Sequence, residues 1–474
     1  MLLRQTLLYL PAQVVGPIFQ FVSIIVWTHY LAPESMGVFA LVMATQELAY
    51  TGTLFWFTLY TLRYFDSAGS VASKQQFLDT ELAVLIGSGL ASVLLVLGLA
   101  WFVDAQWTPS LVAASVAHIV TRVAVTHLAD RARTQHDTLT YTVLQTMWPV
   151  LGLAFGILLV VSVEASATMV LWGYTAAQVL SLAVAGVRLG MGRNPMALDI
   201  DVVRIALRYG LPLLAGGLFV WVAINGIRFA VEYKQGAAAV GLITVGWMLG
   251  FRAAMFAAML VTAAAFPLAV RRAREEGIDA GQAQLERNGV LLLVALLPAA
   301  VGLWLVSEPL ITLVVAETYR EMTIAVLPMA ILAGVFRNVR LHFAEQIFLL
   351  REQTMIPLYN DIFDAVASMA GVVVGLSIGG LPGAAAGAAA GAFVSLLVTL
   401  AVGWHKHRYV LPPLDAAKTL AATATMALVV ACIPLSPTIG AVALASIAGA
   451  LVYAAMLALL YPEGRRMAWA VVRR

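Results

Sequence analysis

The chain has 474 residues, 62% of them hydrophobic and only 11% charged, with a mean hydropathy of +0.91 and a net charge of +3. A soluble fold of this length cannot bury that much apolar surface, so an all-α integral membrane protein is expected and nucleic acid is not among its expected partners. Cys432 is the only cysteine, which excludes intramolecular disulfides and thiolate metal clusters.

Apolar stretches of about 20 residues are long enough to cross a bilayer as helices. In chain order they fall near 8–30, 37–61, 78–101, 109–129, 141–162, 167–187, 209–230, 237–268, 289–307, 322–349, 355–378, 382–404, 415–434 and 438–461, which makes fourteen transmembrane helices. The first follows Arg4 and contains Pro11 and Pro17. No small-residue cleavage site precedes the next span, so it reads as a retained helix and not a signal peptide.

Span two holds Glu47 beside Gln46, a lone deep carboxylate that reads either as a coupling-proton group or as the static partner of a cavity arginine. Span four carries His118 and Arg122 on one face and His127 further on; the histidines are proton relays or satisfied hydrogen-bond partners. Span seven carries Trp221, Asn225 and Arg228, and Arg228 is near enough to the outer end for its stem to reach the interface. Arg252 stands midway along span eight, close to Trp247. Trp221 and Trp247 lie away from the interfacial belts where tryptophan usually collects, which makes them candidates for glycan contact. Span ten bears Arg337 and Arg340 on one face, and span eleven bears Asp361 and Asp364 at matching depth.

A guanidinium in hydrocarbon costs roughly 2.5 kcal/mol or more, so Arg122, Arg228, Arg252, Arg337 and Arg340 should face a cavity or a partner. Two readings stand for the pair on span ten. It grips a pyrophosphate through paired hydrogen bonds, or it forms an Arg–Asp clasp with span eleven. The small-residue run opening span twelve, Leu381-Pro382-Gly383 through Gly391, reads as close helix packing.

Positive charge tests the span count. With fourteen spans, twenty-one of the 28 basic residues fall on the cytoplasmic side and only Lys234 and Arg320 on the other, leaving the five arginines within spans. Both termini are therefore expected in the cytoplasm. The cytoplasmic links around 188–208 and 271–288 are mixed in charge, and each is either a short amphipathic interfacial helix or a solvated linker.

An internal repeat is visible. Leu10-Pro11 and the later Pro33-Glu34-Ser35-Met36-Gly37-Val38-Phe39 correspond to Leu211-Pro212 and Ala237-Ala238-Ala239-Val240-Gly241-Leu242-Ile243. Six spans precede the second copy, so the copies have the same orientation and imply parallel six-helix lobes. The expected organisation is an N-terminal lobe at 1–190, a cytoplasmic linker at 191–208, a C-terminal lobe at 209–404, two further spans within 415–462 and a cytoplasmic tail at 463–474.

The stretch His29-Tyr30-Leu31-Ala32-Pro33-Glu34-Ser35-Met36-Gly37-Val38-Phe39 followed by Leu62-Arg63-Tyr64-Phe65 resembles the start of the Wzx-type polysaccharide flippases. Arg208-Tyr209-Gly210-Leu211-Pro212-Leu213 through Arg228-Phe229 to Ala239-Val240-Gly241-Leu242 is similar to the same family. So is Tyr319-Arg320-Glu321 with Leu327-Pro328. The resemblance implies the multidrug/oligosaccharidyl-lipid/polysaccharide (MOP) flippase superfamily, with two lobes in a V around a cavity that opens alternately to either side of the bacterial inner membrane.

It further implies movement of an undecaprenyl-pyrophosphate-linked oligosaccharide to the periplasmic leaflet by a monomer, with membrane lipids, a polysaccharide polymerase and a chain-length regulator as partners. No cofactor is implied beyond a coupling ion, H+ or Na+. On this reading Arg252, Arg337, Arg340, Arg122 and Arg228 are the pyrophosphate candidates. Glu47, Asp361, Asp364 and His118 are coupling or ion-pairing groups, and Asn225, Trp221 and Trp247 are glycan contacts. The alternatives are a cation-coupled drug exporter of the same superfamily and a membrane-embedded glycan polymerase or ligase. No Walker A, His-Glu-x-x-His or nucleophile-elbow pattern occurs, so ATP-driven transport by this chain alone and hydrolytic catalysis are not expected.

Overall fold

The computed structural model describes residues 2–65, 71–103 and 107–461, with side chains throughout except at 2–13, 71–73, 260, 263 and 264. Asp104 and the tail expected at 463–474 lie outside the described residues. Those that are described form helices α1 (Leu2–Tyr30), α2 (Pro33–Ala49), α3 (Phe55–Tyr64), α4 (Val71–Phe102), α5 (Pro109–Thr134), α6 (Thr138–Ser162), α7 (Ala167–Leu189), α8 (Ile200–Glu276), α9 (Ile278–Leu305), α10 (Ser307–Val314), α11 (Glu317–Val339), α12 (Gln346–Leu350), α13 (Met355–His407), α14 (Pro413–Ala431) and α15 (Ile439–Leu460), with no strand among them. Two π-helical segments interrupt this series, Tyr50–Leu54 between α2 and α3, and Arg340–Ala344 between α11 and α12.

Eleven helices are long and apolar enough to cross a membrane, taking α2 to α3 as one and α11 to α12 as another. Two of the eleven are double. Helix α8 breaks at Gly236, whose φ of 79° and ψ of 175° are open to glycine but strained for other residues. Helix α13 breaks at Gly379 and Gly380, the latter at φ 60°. Its two arms pack antiparallel, because Gly375 faces Gly383, Gly371 faces Gly387, and Ser368 faces Gly391. Any side chain at these glycines would collide with the opposite backbone, so the small-residue run does serve close packing. With α1, the described helices give the fourteen crossings read from hydropathy.

Helix starts follow local chemistry. Thr108 accepts a hydrogen bond from the Leu111 amide ahead of Pro109, Asp137 accepts from the Thr140 amide, and Thr438 accepts from the Ala441 amide. At the junction before α6, Asp137 also binds the Thr140 hydroxyl and Arg188. Partial burial acts to raise its carboxyl pKa, but the Thr140 bonds and the Arg188 guanidinium outweigh it and hold the group below the usual carboxylate value.

The two long links expected on the cytoplasmic side do not form separate interfacial helices. Helix α7 runs to Leu189, an irregular stretch follows, and α8 opens at Ile200 with the Asp199 carboxylate capping the Asp201 and Val202 amides. The second link is simply the end of α8, a turn at Gly277 with φ 99°, and the start of α9.

The chain divides into two compact units, Met1–Thr244 and Val245–Arg474. The first unit holds α1 to α7 together with residues 200–244. Within it, span two runs antiparallel to residues 200–235: Trp56 meets Gly210, Thr51 meets Gly217, and the Trp221 indole donates to the Ala44 carbonyl at 2.9 Å. The internal repeat becomes a reciprocal contact in the same unit. A Cβ on Gly37 would strike the Ala237 carbonyl, and one on Gly241 would strike the Pro33 carbonyl. Gly37 and Gly241, like Pro33 and Ala237, are 204 residues apart, so the two contacts join equivalent positions of the repeat. In the second unit α11 packs on α13 and α9, while α14 and α15 pack on each other and on α9. The short α10, within a connection expected to be a loop, covers part of this group through buried Ile311 and Pro309.

Candidate functional site

In the first unit, three of the candidate residues form one relay. The Arg228 Nη1 donates to the Asn225 Oδ1 at 2.6 Å, and the Asn225 Nδ2 donates to the Glu47 Oε2 at 3.0 Å. Arg228 is only 4% exposed, so its stem does not reach the interface as its position near the end of span seven suggested. The reason is Asn225, one turn earlier, which offers the guanidinium an oxygen inside the unit. Glu47 itself is exposed and not buried in the core. The π segment starting at Tyr50 follows within a turn, and such segments frequently mark functional sites.

Arg122 lies beside this relay. Its guanidinium carbon sits 3.8 Å from the centre of the Trp148 ring, a close cation–π contact, and its buried Nη1 has no hydrogen-bond partner among the described residues. Glu47 and Tyr50 are both within electrostatic reach of it. Tyr50 donates to Asp130 at 3.3 Å. His118, one turn before Arg122, is fully buried: its ring meets Tyr174 edge-on, its Nδ1 lies 3.5 Å from the Gln178 amide, and Gln178 accepts from Thr121 at 2.6 Å.

Deeper in this unit is a charged chain that the sequence reading missed. Arg131 and Glu81 are ion-paired and buried, at 0% and 1% exposure, and Arg131 also donates to the Gly190 carbonyl at 2.6 Å. Glu81 further contacts the His127 Nε2 at 2.8 Å, and the His127 Nδ1 is 2.8 Å from the Thr58 hydroxyl. By the charge count Arg131 is one of the twenty-one basic residues expected on the cytoplasmic side. Its i, i+4 relation to His127 was the available signal for an inward face.

In the second unit the Arg–Asp clasp is formed. The Arg337 Nε donates to Asp364 at 3.2 Å and its Nη2 to the Ser368 hydroxyl at 2.9 Å, which in turn donates to the other Asp364 oxygen at 3.0 Å. Arg340 binds Glu345 at 2.5 Å, Asp361 at 3.0 Å and Asp364 at 3.4 Å. Both arginines are at most 2% exposed, so their charge is neutralised inside the unit and neither offers an open guanidinium to a phosphate. Glu345 was not singled out in the sequence. It reaches Arg340 because the π segment Arg340–Ala344 places an acid five residues on beside the base.

Arg252 is half-buried in this unit. Trp247 is fully buried and stacks on Phe251 at 6.5 Å between ring centres, the setting of a core residue and not of an open sugar platform. An apolar cavity of about 560 Å³ lies among α9, α10, α14 and α15; Pro298, Leu310, Met426 and Tyr453 line it, and exposed Ser446 and Ala450 border it.

No protein-family model matches the chain, and no curated protein matches it by sequence. Solved structures do match by shape. The lipid II flippase MurJ in an inward closed conformation superposes with a TM-score of 0.72 at 13% identity, over 96% of this chain and 99% of that one. A Vibrio cholerae MATE transporter, VcmN, gives 0.57 at 14% identity over 86% and 97%. An inward-facing multidrug resistance MATE family transporter of the MOP superfamily gives 0.55 at 15% identity over 84% and 97%. The MATE chains are matched nearly whole and still leave part of this chain uncovered, whereas the flippase accounts for almost all of it. The protein is a multi-pass, all-helical membrane protein with the fold that the lipid II flippase and the MATE transporters of the MOP superfamily share.

Proposed function

We propose that the chain is a flippase that moves a lipid-linked oligosaccharide across the bacterial inner membrane by alternating access, coupled to an ion, with both termini cytoplasmic. The substrate's pyrophosphate is the group its membrane-embedded arginines hold. Arg122 carries this reading: its charge has no carboxylate within bonding distance among the described residues, one face rests on Trp148, and the Nη1 group awaits an acceptor. Half-buried Arg252 is the second candidate. The apolar cavity beside α14 and α15 has the chemistry to take part of a polyprenyl tail. Match to the lipid flippase along nearly its whole length supports the same choice.

Exposed Glu47 favours the second reading, export of organic cations, because a cation seeks a carboxylate. Arg122→Gln and Arg252→Gln separate the two. Each removes a charge-assisted hydrogen-bond donor worth about 1.5–3 kcal/mol, so glycan export should fall by about tenfold or more with protein levels unchanged. Undiminished export by both variants would overturn the assignment.

A further inference from the structure

The chain Thr58–His127–Glu81–Arg131 has a property that follows from counting hydrogens. The Glu81 carboxylate, paired with Arg131, only accepts, so the His127 Nε2 at 2.8 Å must donate to it. The other ring nitrogen faces the Thr58 hydroxyl at 2.8 Å. That hydroxyl has a single hydrogen and three acceptors within reach, the His127 Nδ1, the Leu54 carbonyl at 3.2 Å and the Tyr50 hydroxyl, whose own hydrogen goes to Asp130. Two complete arrangements exist. With neutral His127, Thr58 donates to Nδ1. With the imidazolium, Nδ1–H donates to Thr58, and Thr58 turns its hydrogen to the Leu54 carbonyl or the Tyr50 hydroxyl.

We infer that Thr58, His127 and Glu81 form a proton-binding site in the membrane-embedded first unit, whose ligand is one proton taken up at the His127 Nδ1. The balance is simple: one proton enters from water, the imidazole becomes imidazolium, and the Thr58 hydrogen rotates without leaving its oxygen. Tyr50 and Leu54 are the two ends of the π segment, so whichever accepts, protonation changes the hydrogen bonding of the irregular turn that follows Glu47.

The charged and titratable groups around the ring are Glu81 from α4, Tyr50 from the π segment, and Asp130 and Arg131 from its own helix. Tyr50 and Arg133 bind Asp130, and Gly190, the residue after α7, contributes the carbonyl that holds Arg131. Phe57 and Phe77, stacked on each other, close the site, and Phe57 lies 5.8 Å from the His127 ring. Thr58, His127 and Arg131 are fully buried and Glu81 is 1% exposed, so an imidazolium here depends on these partners and not on water. Use of this proton as the coupling ion rests on the transport reading above; the titration itself does not.

Nitrogen-15 NMR of histidine-labelled full-length protein in nanodiscs tests it, with the His127 signals assigned by their loss in His127→Gln. Over the pH range in which the protein stays folded, the ring should convert from two protonated nitrogens to one as pH rises, with the remaining proton on Nε2. Glu81→Gln should weaken proton binding by about tenfold or more, because an opposing charge in contact is removed. Thr58→Val keeps the volume and should also weaken it, since the imidazolium loses an acceptor at Nδ1. A His127 ring in one protonation state across the whole range overturns the inference. So does a conversion unmoved by both Glu81→Gln and Thr58→Val. None of these readouts involves a transported lipid, so the site stands or falls independently of the substrate.

Discussion

Arg337→Leu is expected to destabilise the second unit by about 3–5 kcal/mol, the scale found when one partner of a buried ion pair is removed. Asp364 is 1% exposed and would be left with only the long 3.4 Å contact from Arg340 and the Ser368 hydroxyl. The cluster already holds three carboxylates, Glu345, Asp361 and Asp364, against two guanidiniums, so deleting a base enlarges the imbalance. Removing the acid as well should recover most of the loss, because two apolar side chains fill the space without a stranded charge. Thermal unfolding of the purified protein in detergent gives the comparison. The double variant Arg337→Leu with Asp364→Leu should melt well above Arg337→Leu alone. A single variant as stable as wild type would show that the clasp is not the structural element described.

Gly37→Ala and Gly241→Ala should each cost about 1–3 kcal/mol, by overpacking. Added methyl groups at these positions point into the Ala237 and Pro33 carbonyls, which are backbone and cannot rotate away. The contact is reciprocal across the repeat, so the two substitutions should have closely matched effects, and the pair together should exceed either. Gly98 in α4 provides the control, since a Cβ there meets nothing within 4 Å. Gly98→Ala should be neutral or mildly stabilising, by up to about 1 kcal/mol, because alanine restricts the unfolded chain and suits a helix. Equal melting of all three variants would contradict the packing.

The fold was legible where the bilayer imposes it. Hydropathy and the asymmetry of basic residues fix fourteen crossings because a span in lipid must satisfy its own backbone and hold few charges. Pairs with helical spacing were legible too: 337 with 340 and 361 with 364 announced a possible clasp. What the sequence concealed was local backbone geometry. The π segments at Tyr50–Leu54 and Arg340–Ala344 leave no mark in hydropathy, yet one of them brings Glu345 to Arg340. Charge counting also misled at Arg131. A basic residue near the end of a span looks like a positive-inside marker, and only its buried partner Glu81 reveals otherwise. Arg228 went the same way, drawn inward by Asn225 and not outward by solvent. Of the five arginines that stood out in the sequence, three are held by side-chain oxygens of their own units, whereas Arg122 rests on Trp148 with no ion pair among the described residues.

The most direct measurement is flipping by the full-length chain reconstituted in liposomes, using polyprenyl lipids that carry the same oligosaccharide through a pyrophosphate or a monophosphate, with an organic cation as a third cargo. The pyrophosphate-linked lipid is expected to cross at least about tenfold faster than the monophosphate-linked one, corresponding to one charge-assisted contact, with no movement of the cation. Cation movement without lipid flipping, or equal rates for the two lipids, would contradict this.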